Sequence, residues 1–293
     1  MAKTYNEMLV SVRNALRDMD TAQSSLEARL ILSSASGKNK EELTRDMPLY
    51  MGSSVEHKTD TLLRRRKTGE PLAYITGEWE FYGVPIKVNE HVLIPRVDTE
   101  VTADTAIKAA LRLEKGARAL DLCCGSGCIG IALASNVPEM KVTMADISKE
   151  AIKVAKSNAA MNNLSGRITC VEADVLDVPR PFLGKFDLLV SNPPYIPSGD
   201  LKGLDKSVIE YEPVAALDGG GDGMEFYRHI ALMWKKVLKP GGALILECGV
   251  RQSKLVEYLL RVNGFENIEI ITDSGDIERV AMGWLPLSND LER

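Results

Sequence analysis

The sequence predicts an α/β protein with a mostly parallel sheet, a terminal antiparallel hairpin and a small helical domain at the N-terminus. From Arg118 onward, apolar runs that suit strands alternate with stretches that suit helices. Continuously apolar strands are typical of parallel sheets that helices cover on both faces. Two strand-like runs with a short link, 266–276 and 278–286, predict the final hairpin.

The first 71 residues are predicted to be helical. Thr4 and Glu7 fit a capping box, and Gly37 is placed to end a later helix. The basic run 64–67 falls at the C-terminus of another helix, where cations complement the helix dipole. We interpret this run as a solvated helix end, with an RNA or partner contact as the lesser alternative.

We expect three parts along the chain. They are a helical domain over 1–71, a β-hairpin connector over 72–95 and the sheet-containing domain over 96–293. The connector is rich in strand formers and is interrupted by Gly83 and Asn89. A new helix is predicted to follow it, with Asp98 as the N-cap.

Composition argues against several classes of protein. A net charge of −5 over 293 residues lacks the strongly basic character of a duplex nucleic-acid binder. No apolar run approaches the ~20 residues of a membrane span. The amphipathic N-terminal helix carries acids, unlike a signal or transit peptide. We therefore expect a cytoplasmic protein that acts as a monomer and binds neither duplex nucleic acid nor a membrane.

The five cysteines form no disulfide-like framework, which suits a reducing compartment. Cys123, Cys124 and Cys128 lie close together, so a zinc site is one interpretation. They lie inside a glycine turn, however, without a CxxC pair, and the three histidines are scattered along the chain. We therefore favour small buried thiols and expect no bound metal.

A glycine-rich turn joins one predicted strand to the next helix. Gly125, Gly127 and Gly130 fit the GxGxxG pattern, which by itself also suits a dinucleotide. Asp121 ends the preceding strand, where its carboxylate would repel the pyrophosphate of a dinucleotide. S-adenosylmethionine has no phosphate and carries an ammonium and a sulfonium, so an acid beside the turn suits it. We therefore predict a methyl-donor site and keep a dehydrogenase as the second interpretation.

Two more acids end the next two predicted strands. Asp146 is placed to accept hydrogen bonds from ribose hydroxyls, and Asp174 to accept from an adenine amino group. Each acid alone could be a helix cap. Together with Asp121 they occupy three consecutive strand ends with the spacing of one ligand, which makes coincidence the weaker explanation.

The following predicted strand ends in Asn192-Pro193-Pro194-Tyr195. Adjacent prolines cannot extend a sheet, because they lack N–H donors and fix φ. Asn192 offers a side-chain carbonyl, Pro193 a backbone carbonyl and Tyr195 a ring for stacking, which together match a planar NH2 group. Because an amide nitrogen is a weak nucleophile, orientation should supply most of the rate enhancement. Well-placed reactants can lower the activation free energy by roughly 7–11 kcal/mol.

Asn-Pro-Pro-Tyr after a strand resembles the signature of methyltransferases that act on adenine, guanine or glutamine nitrogens. Longer stretches narrow the resemblance to the protein-(glutamine) methyltransferases of peptide chain release factors, the PrmC/HemK family. They are RRRKTGEPLAYITGEWEFYG, VLIPRVDTE, VSNPPYIP, YEPVAALDGGGDGMEFYRHI and GDIERVAMG. The resemblance covers nearly the whole chain and is weakest over 1–60.

The resemblance implies the Rossmann-like fold of class I S-adenosylmethionine-dependent methyltransferases, with a sheet of seven strands. It also implies methyl transfer to a glutamine amide in a GGQ-type motif of a release factor, which the helical N-terminal domain would recognise. The implied acceptor-site residues are Asn192, Pro193, Pro194 and Tyr195. The implied donor-site residues are Cys123, Cys124, Gly125, Ser126, Gly127, Asp146, Asp174, Val175, Asp121 and Asn192.

The sequence departs from the family pattern at two places. Cys123 and Cys124 stand where the glycine turn often has glycine and threonine, and Val97 stands where proline is usual. Both changes keep the residues small or apolar, so donor binding should survive. Phe81 and Arg96 are candidate residues of the peptide groove, although a hairpin aromatic and a salt bridge explain them equally well.

The segment 196–222 is long for a structureless connection, which favours a lid or substrate loop. Its glycines at 219–221 and 223 would permit movement. Glu247 ends another predicted strand, and we interpret it as a structural hydrogen-bond partner.

Two other functions fit parts of the pattern. A nucleic-acid amino-methyltransferase would use the same clamp for the exocyclic amine of adenine or guanine, but the acidic composition disfavours it. The second of these functions is that of a non-catalytic module that binds translation factors. The intact Asn192 and Asp121 disfavour that interpretation.

Overall fold

The structure is a computed structural model that describes residues 3–18 and 23–287. The chain forms two compact units. The first comprises Met1–Glu78 and Lys206–Tyr211, and the second comprises Trp79–Asp205 and Glu212–Arg293. The predicted connector is therefore divided between the two units, and a short piece of the later segment 196–222 belongs to the first.

The first unit is helical, as the sequence predicts. Its helices are α1 (Tyr5–Arg17), α2 (Ser24–Ser36), α3 (Lys40–Asp46), α4 (Ser53–Lys67) and α5 (Leu72–Thr76). The capping box of α1 is present, because Glu7 N donates to Thr4 Oγ1 (3.2 Å) and Thr4 N donates to Glu7 Oε2 (2.8 Å). Gly37 ends α2 in the left-handed conformation, with φ of 69°.

The basic end of α4 is partly neutralised by ion pairs. Arg66 pairs with Glu27 of α2 (Nε to Oε2, 2.8 Å), and both side chains are largely buried. Arg65 pairs with Glu70 (Nε to Oε2, 2.8 Å). Arg66 thus links α4 to α2 and is not simply solvated, which differs from the prediction of a solvated helix end, whereas the Arg65 pair is local.

The second unit begins with a hairpin and continues as alternating strands and helices. The hairpin and first helix are β1 (Glu78–Phe81), β2 (Val84–Lys87) and α6 (Thr99–Ala110). Next come β3 (Arg118–Leu122), α7 (Cys128–Asn136), β4 (Lys141–Asp146), α8 (Lys149–Met161), β5 (Ile168–Glu172) and β6 (Phe186–Ser191). The chain continues with α9 (Lys206–Ile209), which belongs to the first unit. The remaining elements of the second unit are α10 (Glu225–Met233), β7 (Leu238–Glu247), α11 (Ser253–Val262), β8 (Glu266–Thr272) and β9 (Glu278–Trp284).

The large sheet has seven strands in the order β5-β4-β3-β6-β7-β9-β8. The pairs from β5 to β7 are parallel, whereas β9 pairs antiparallel with both β7 and β8. The predicted fold and terminal hairpin are thereby confirmed. The strand order reverses between β3 and β6, and such a switch point opens a crevice at the carboxyl ends of the strands.

Two local predictions differ from the structure. Residues 72–76 form a short helix, so the hairpin occupies only Glu78–Lys87 of the predicted connector. Asp98 is the N-cap residue of α6, as predicted, but its side chain makes no capping hydrogen bond. Its carboxylate instead accepts from Arg279 Nη2 at 3.0 Å, and this ion pair draws it away from the free N–H groups of the helix.

The segment 196–222 contains more local structure than its sequence suggests. It includes 3-10 turns at Leu201–Gly203 and Val214–Ala216 besides α9. A β-bridge joins Ile196 to Asp218, with Ile196 N donating to Leu217 O at 3.0 Å. In the described ranges, 3–18 and 23–287, no helix has the length and apolar character needed to span a membrane.

Candidate active site

A cavity of about 480 Å³ lies at the carboxyl ends of the central strands. Its wall contains residues from the loops after β3, β4, β5 and β6. The predicted site residues in this wall are Arg96, Cys123, Cys124, Gly125, Ser126, Asp146, Asp174, Val175, Asn192 and Pro194. The structure thus brings most of the predicted donor and acceptor residues to one cavity within the second unit.

Asp146 ties the glycine turn to the start of α8. Its Oδ2 accepts from Gly125 N and its Oδ1 accepts from Ser148 N, both at 2.9 Å. Burial raises the pKa of Asp146, while these backbone donors act in the opposite direction. Because each carboxylate oxygen can accept more than one hydrogen bond, the side chain retains capacity for hydroxyl donors in the cavity.

Asp174 and Val175 form the part of the wall that follows β5. Asp174 Oδ1 accepts from Leu176 N at 2.8 Å, which fixes the turn. The buried indole of Trp234 donates from Nε1 to the backbone carbonyl of Val175, also at 2.8 Å. The position of Val175 in the cavity wall therefore depends on a hydrogen bond from the core.

We expect Trp234→Phe to lower the free energy of unfolding by about 1–3 kcal/mol, because the Val175 carbonyl is left buried without its indole donor. Chemical denaturation measures this loss. Tyr258→Phe is the control, since Tyr258 is 63% exposed. Equal stability of the Trp234 variant and the control would show that the hydrogen bond contributes nothing.

The predicted place of Asp121 in the mouth of the cavity is wrong. The side chain is fully buried and is absent from the cavity wall. Its Oδ2 accepts from Gly130 N of α7 at 2.9 Å, and its Oδ1 has no hydrogen-bond partner among the described residues. Burial raises the pKa of Asp121 to about 8. The reason is position: residue 121 precedes the last residue of β3, and its side chain faces α7.

Two acids that sequence reasoning missed replace Asp121 in the cavity wall. They are Asp218 and Glu225, near the start of α10. Asp218 Oδ1 accepts from Ser198 Oγ at 2.7 Å and from Gly220 N at 3.0 Å. The sequence signal was the acid directly before the glycine run, which was interpreted only as a hinge. The wall therefore contains four carboxylates, which favour a cationic ligand.

Arg96 is a cation in the same wall and is held by a buried acid. Glu212 Oε1 accepts from Arg96 Nη2 at 2.5 Å, and its Oε2 accepts from Ile94 N at 3.1 Å. The Glu212 side chain is 1% exposed, whereas that of Arg96 is 40% exposed. The salt-bridge interpretation of Arg96 therefore holds, and the residue also lines the cavity.

Asn192 enters the cavity wall and is held from behind by a hydroxyl. Its Nδ2 donates to Thr99 Oγ1 at 3.2 Å, and Thr99 Oγ1 donates to Glu247 Oε1 at 3.2 Å. Glu247 also accepts from Thr102 Oγ1 at 3.0 Å, as expected for a structural hydrogen-bond partner. This connection leaves Asn192 Oδ1 as an acceptor for the cavity.

Besides Asp121, four predicted residues lie outside the cavity wall: Gly127, Pro193, Tyr195 and Phe81. Phe81 is 1% exposed and packs as a hairpin aromatic, so the structure does not place it in a groove. Tyr195 packs against the core, and burial raises the pKa of its hydroxyl to about 12. Its backbone oxygen accepts from Gln252 Nε2 at 2.8 Å, which anchors the turn.

Comparison with known proteins identifies the family. Residues 7–77 match the PrmC N-terminal domain, and residues 102–221 match the methyltransferase small domain. A release factor glutamine methyltransferase of Geobacter sulfurreducens is 38% identical over 96% of this chain and 96% of its own. The chain belongs to the family of release factor glutamine methyltransferases. The relationship confirms the resemblance drawn from the sequence motifs.

A second relative and a solved structure are consistent with this family assignment. A release factor glutamine methyltransferase of Thermodesulfovibrio yellowstonii is 40% identical over 78% of this chain and 81% of its own. A methyltransferase structure from Pyrococcus furiosus is 18% identical, covers 79% of this chain and 98% of its own, and has a TM-score of 0.50. That similarity concerns the fold alone.

The glycine turn of this member carries cysteines. Cys123 has a φ of 55°, in the left-handed region that favours glycine. Burial raises the pKa of Cys128 to about 12 and the pKa values of Cys123 and Cys124 above their usual range. The three thiols are therefore protonated at neutral pH and weakly nucleophilic. Across the described part of the chain, no group of three or more His, Cys, Asp or Glu residues is placed to hold a metal ion.

Proposed function

We propose that the protein transfers a methyl group from S-adenosylmethionine to the side-chain amide nitrogen of a glutamine in a peptide chain release factor. The observation that carries this proposal is the position of Asn192. Its amide is oriented by Thr99 in the wall of the same cavity that contains Asp146 and Asp174. The names of the bacterial relatives support the same substrate.

The residues present fit S-adenosylmethionine. Asp146 would hold the ribose hydroxyls, Asp174 and Val175 the adenine, and the turn 123–127 the remainder of the donor. The wall carboxylates of Asp218 and Glu225 complement its positive charge. When bound, the donor supplies an electrophilic methyl carbon on a sulfonium. A dinucleotide fits less well, because its pyrophosphate would lie among these carboxylates.

The acceptor site would orient a planar amide. Asn192 Oδ1, in the cavity wall, would accept from one of its two N–H groups. The backbone carbonyl of Pro193, a residue outside the wall, would accept from the other, as the family resemblance implies, and the Pro193–Pro194 peptide is stiff because the ring of Pro194 fixes φ. The amide nitrogen can attack only if its lone pair faces the methyl carbon. Orientation would therefore lower the activation free energy by roughly 7–11 kcal/mol. As the C–N bond formed, the methyl C–S bond would break to leave S-adenosylhomocysteine, and the nitrogen would give its proton to the solvent.

We also propose that the helical first unit recognises the release factor. Its match to the PrmC N-terminal domain covers residues 7–77, nearly the whole unit. The catalytic wall lies entirely in the second unit. Division of the chain into a recognition unit and a reaction unit suits a macromolecular substrate.

A labelling experiment tests the proposed function. The purified protein is incubated with methyl-labelled S-adenosylmethionine and a purified release factor, and the labelled residue is located by mass spectrometry. We expect label on one glutamine of the release factor, and none when that glutamine is replaced by alanine. Label that appears only on nucleic acid would contradict the proposal and support the amino-methyltransferase alternative.

A further inference from the structure

Glu247 is a buried carboxylate to which the proposed reaction assigns no role. It ends β7 and is 1% exposed. Its Oε1 accepts from Thr99 Oγ1 at 3.2 Å and its Oε2 accepts from Thr102 Oγ1 at 3.0 Å. Within residues 3–18 and 23–287, no lysine, arginine or histidine forms an ion pair with it. Its direct side-chain partners are therefore two hydroxyl groups.

Counting protons fixes the direction of the hydrogen bonds. Thr99 has a single hydroxyl proton, and an ionised Glu247 can only accept. Thr99 therefore donates to Glu247 and must use a lone pair to accept from Asn192. The amide of Asn192 meets this requirement only with its Nδ2 toward Thr99, the two atoms lying 3.2 Å apart. Its Oδ1 is then available to the cavity.

We propose that ionised Glu247 is a positioning residue that acts through Thr99 to set the amide orientation of Asn192. This inference rests on the proposed function, because it assigns Asn192 Oδ1 the task of accepting from the substrate amide. Glu247 itself does not line the cavity, whereas Thr99 and Asn192 do. Glu247 therefore determines whether Oδ1 or Nδ2 of Asn192 faces the substrate.

Protonation of Glu247 on Oε1, the oxygen that faces Thr99, would reverse this chain of hydrogen bonds. A neutral Glu247 can donate to Thr99, which leaves the Thr99 proton for Asn192. The amide of Asn192 must then turn its oxygen toward Thr99 and present NH2 to the cavity. Two NH2 groups would face each other, and the substrate amide would lose one of its two acceptors.

The ionisation of Glu247 falls near neutral pH. Burial raises the pKa of Glu247 to about 7, while the hydroxyls of Thr102 and Thr99 act in the opposite direction. Arg279 favours the charged form and Asp98 disfavours it. The other titratable side chains whose charges interact with Glu247 have pKa values raised by burial and are neutral at pH 7: Tyr195, Tyr227, Cys128 and Cys248. We therefore expect turnover to fall as the pH decreases through about 7.

The decisive variant is Glu247→Gln, assayed from about pH 6 to about pH 9. We expect its turnover at high pH to be lower than that of the wild type by about 10²-fold, the usual loss of one polarising group. The step in turnover near neutral pH should disappear. Donor affinity, measured by calorimetry, should remain unchanged and shows that the variant is folded.

Three variants at two threonines sharpen the test. Thr99→Val should lose turnover like Glu247→Gln, whereas Thr99→Ser, which keeps the hydroxyl, should restore most of it. Thr102→Val removes a hydroxyl that lowers the pKa of Glu247 but leaves the connection to Asn192 intact. This variant should move the step in turnover to higher pH, which a merely structural role for Glu247 would not explain.

Wild-type turnover and an unchanged pH step in Glu247→Gln would overturn the inference. So would a step that is unmoved by Thr102→Val. These failures are distinct from failure of the proposed function, because they require that the wild type methylates the release factor. Asp121, whose pKa is about 8, provides no alternative explanation, since a step caused by Asp121 would persist in Glu247→Gln.

Discussion

Asn192→Ala is expected to lower turnover by about 10²-fold or more, as removal of one well-placed polarising group does in other enzymes. Asn192 lines the cavity, and its Oδ1 is the acceptor left free by the bond from Nδ2 to Thr99. Alanine cannot accept from the substrate amide, so the amide would no longer be held with its lone pair toward the methyl carbon. Donor binding should stay near normal, because Asp146 and Asp174 are unchanged.

Single-turnover methylation of a release factor measures this loss, and calorimetry measures donor binding. The matched control is Asn136→Ala, which removes an amide that donates only to Ala132 O within α7. Asn136 lies outside the cavity wall, so this variant should methylate at the wild-type rate. If Asn192→Ala also kept that rate, the acceptor site would be assigned to the wrong residue.

The positions of Asp146, Asp174 and Asn192 could be predicted because each lies at the end of a strand that the apolar pattern reveals, or just beyond it. Parallel strands place their carboxyl ends at one edge of the sheet, so residues at those ends meet without knowledge of side-chain directions. Asp121 fails this rule by one residue. It lies inside β3, where successive side chains alternate between the two faces, and its face is covered by α7.

Other parts of the site depend on contacts that local patterns do not contain. Thr99 meets Glu247 across 148 residues of sequence and Asn192 across 93. A threonine at the first position of a helix suggests only a local role. Asp218 reaches the cavity because it forms an isolated β-bridge with Ile196. Neither residue lies in a stretch whose hydrophobic pattern predicts a strand. Such side chains become visible only when the chain is folded.

The glycines at 219–221 and 223 show how one sequence feature can have two causes. We interpreted them as points of movement, which the structure does not test. Gly219 is instead explained by close approach: a Cβ there would lie 2.6 Å from Tyr195 Cα, 2.8 Å from Tyr195 C and 2.9 Å from Pro194 O. Gly221, two residues away, has no atom within 4 Å of such a Cβ.

Gly219→Ala is therefore expected to be severely damaging. All three atoms that the new methyl group would meet belong to the backbone of the turn that carries Asn192, and backbone cannot move aside as a flexible side chain can. We expect a loss of about 1–3 kcal/mol in the free energy of unfolding from overpacking. A displacement of the turn by about 1 Å would lower turnover by about 10²-fold, because the substrate amide would be misaligned.

Gly221→Ala provides the matched control, since it adds the same methyl group to the same loop in open space. Its φ lies outside the left-handed region, so alanine should be tolerated and should stabilise the protein by about 0.4–1 kcal/mol through the unfolded chain. Turnover and denaturation are measured for both variants. A Cβ at position 219, unlike one at position 221, would contact the turn. A defect shared by both variants would therefore point to loop movement, whereas a defect confined to Gly219→Ala would establish close packing against Pro194 and Tyr195. Full activity of Gly219→Ala would show that the turn need not be rigid for methyl transfer.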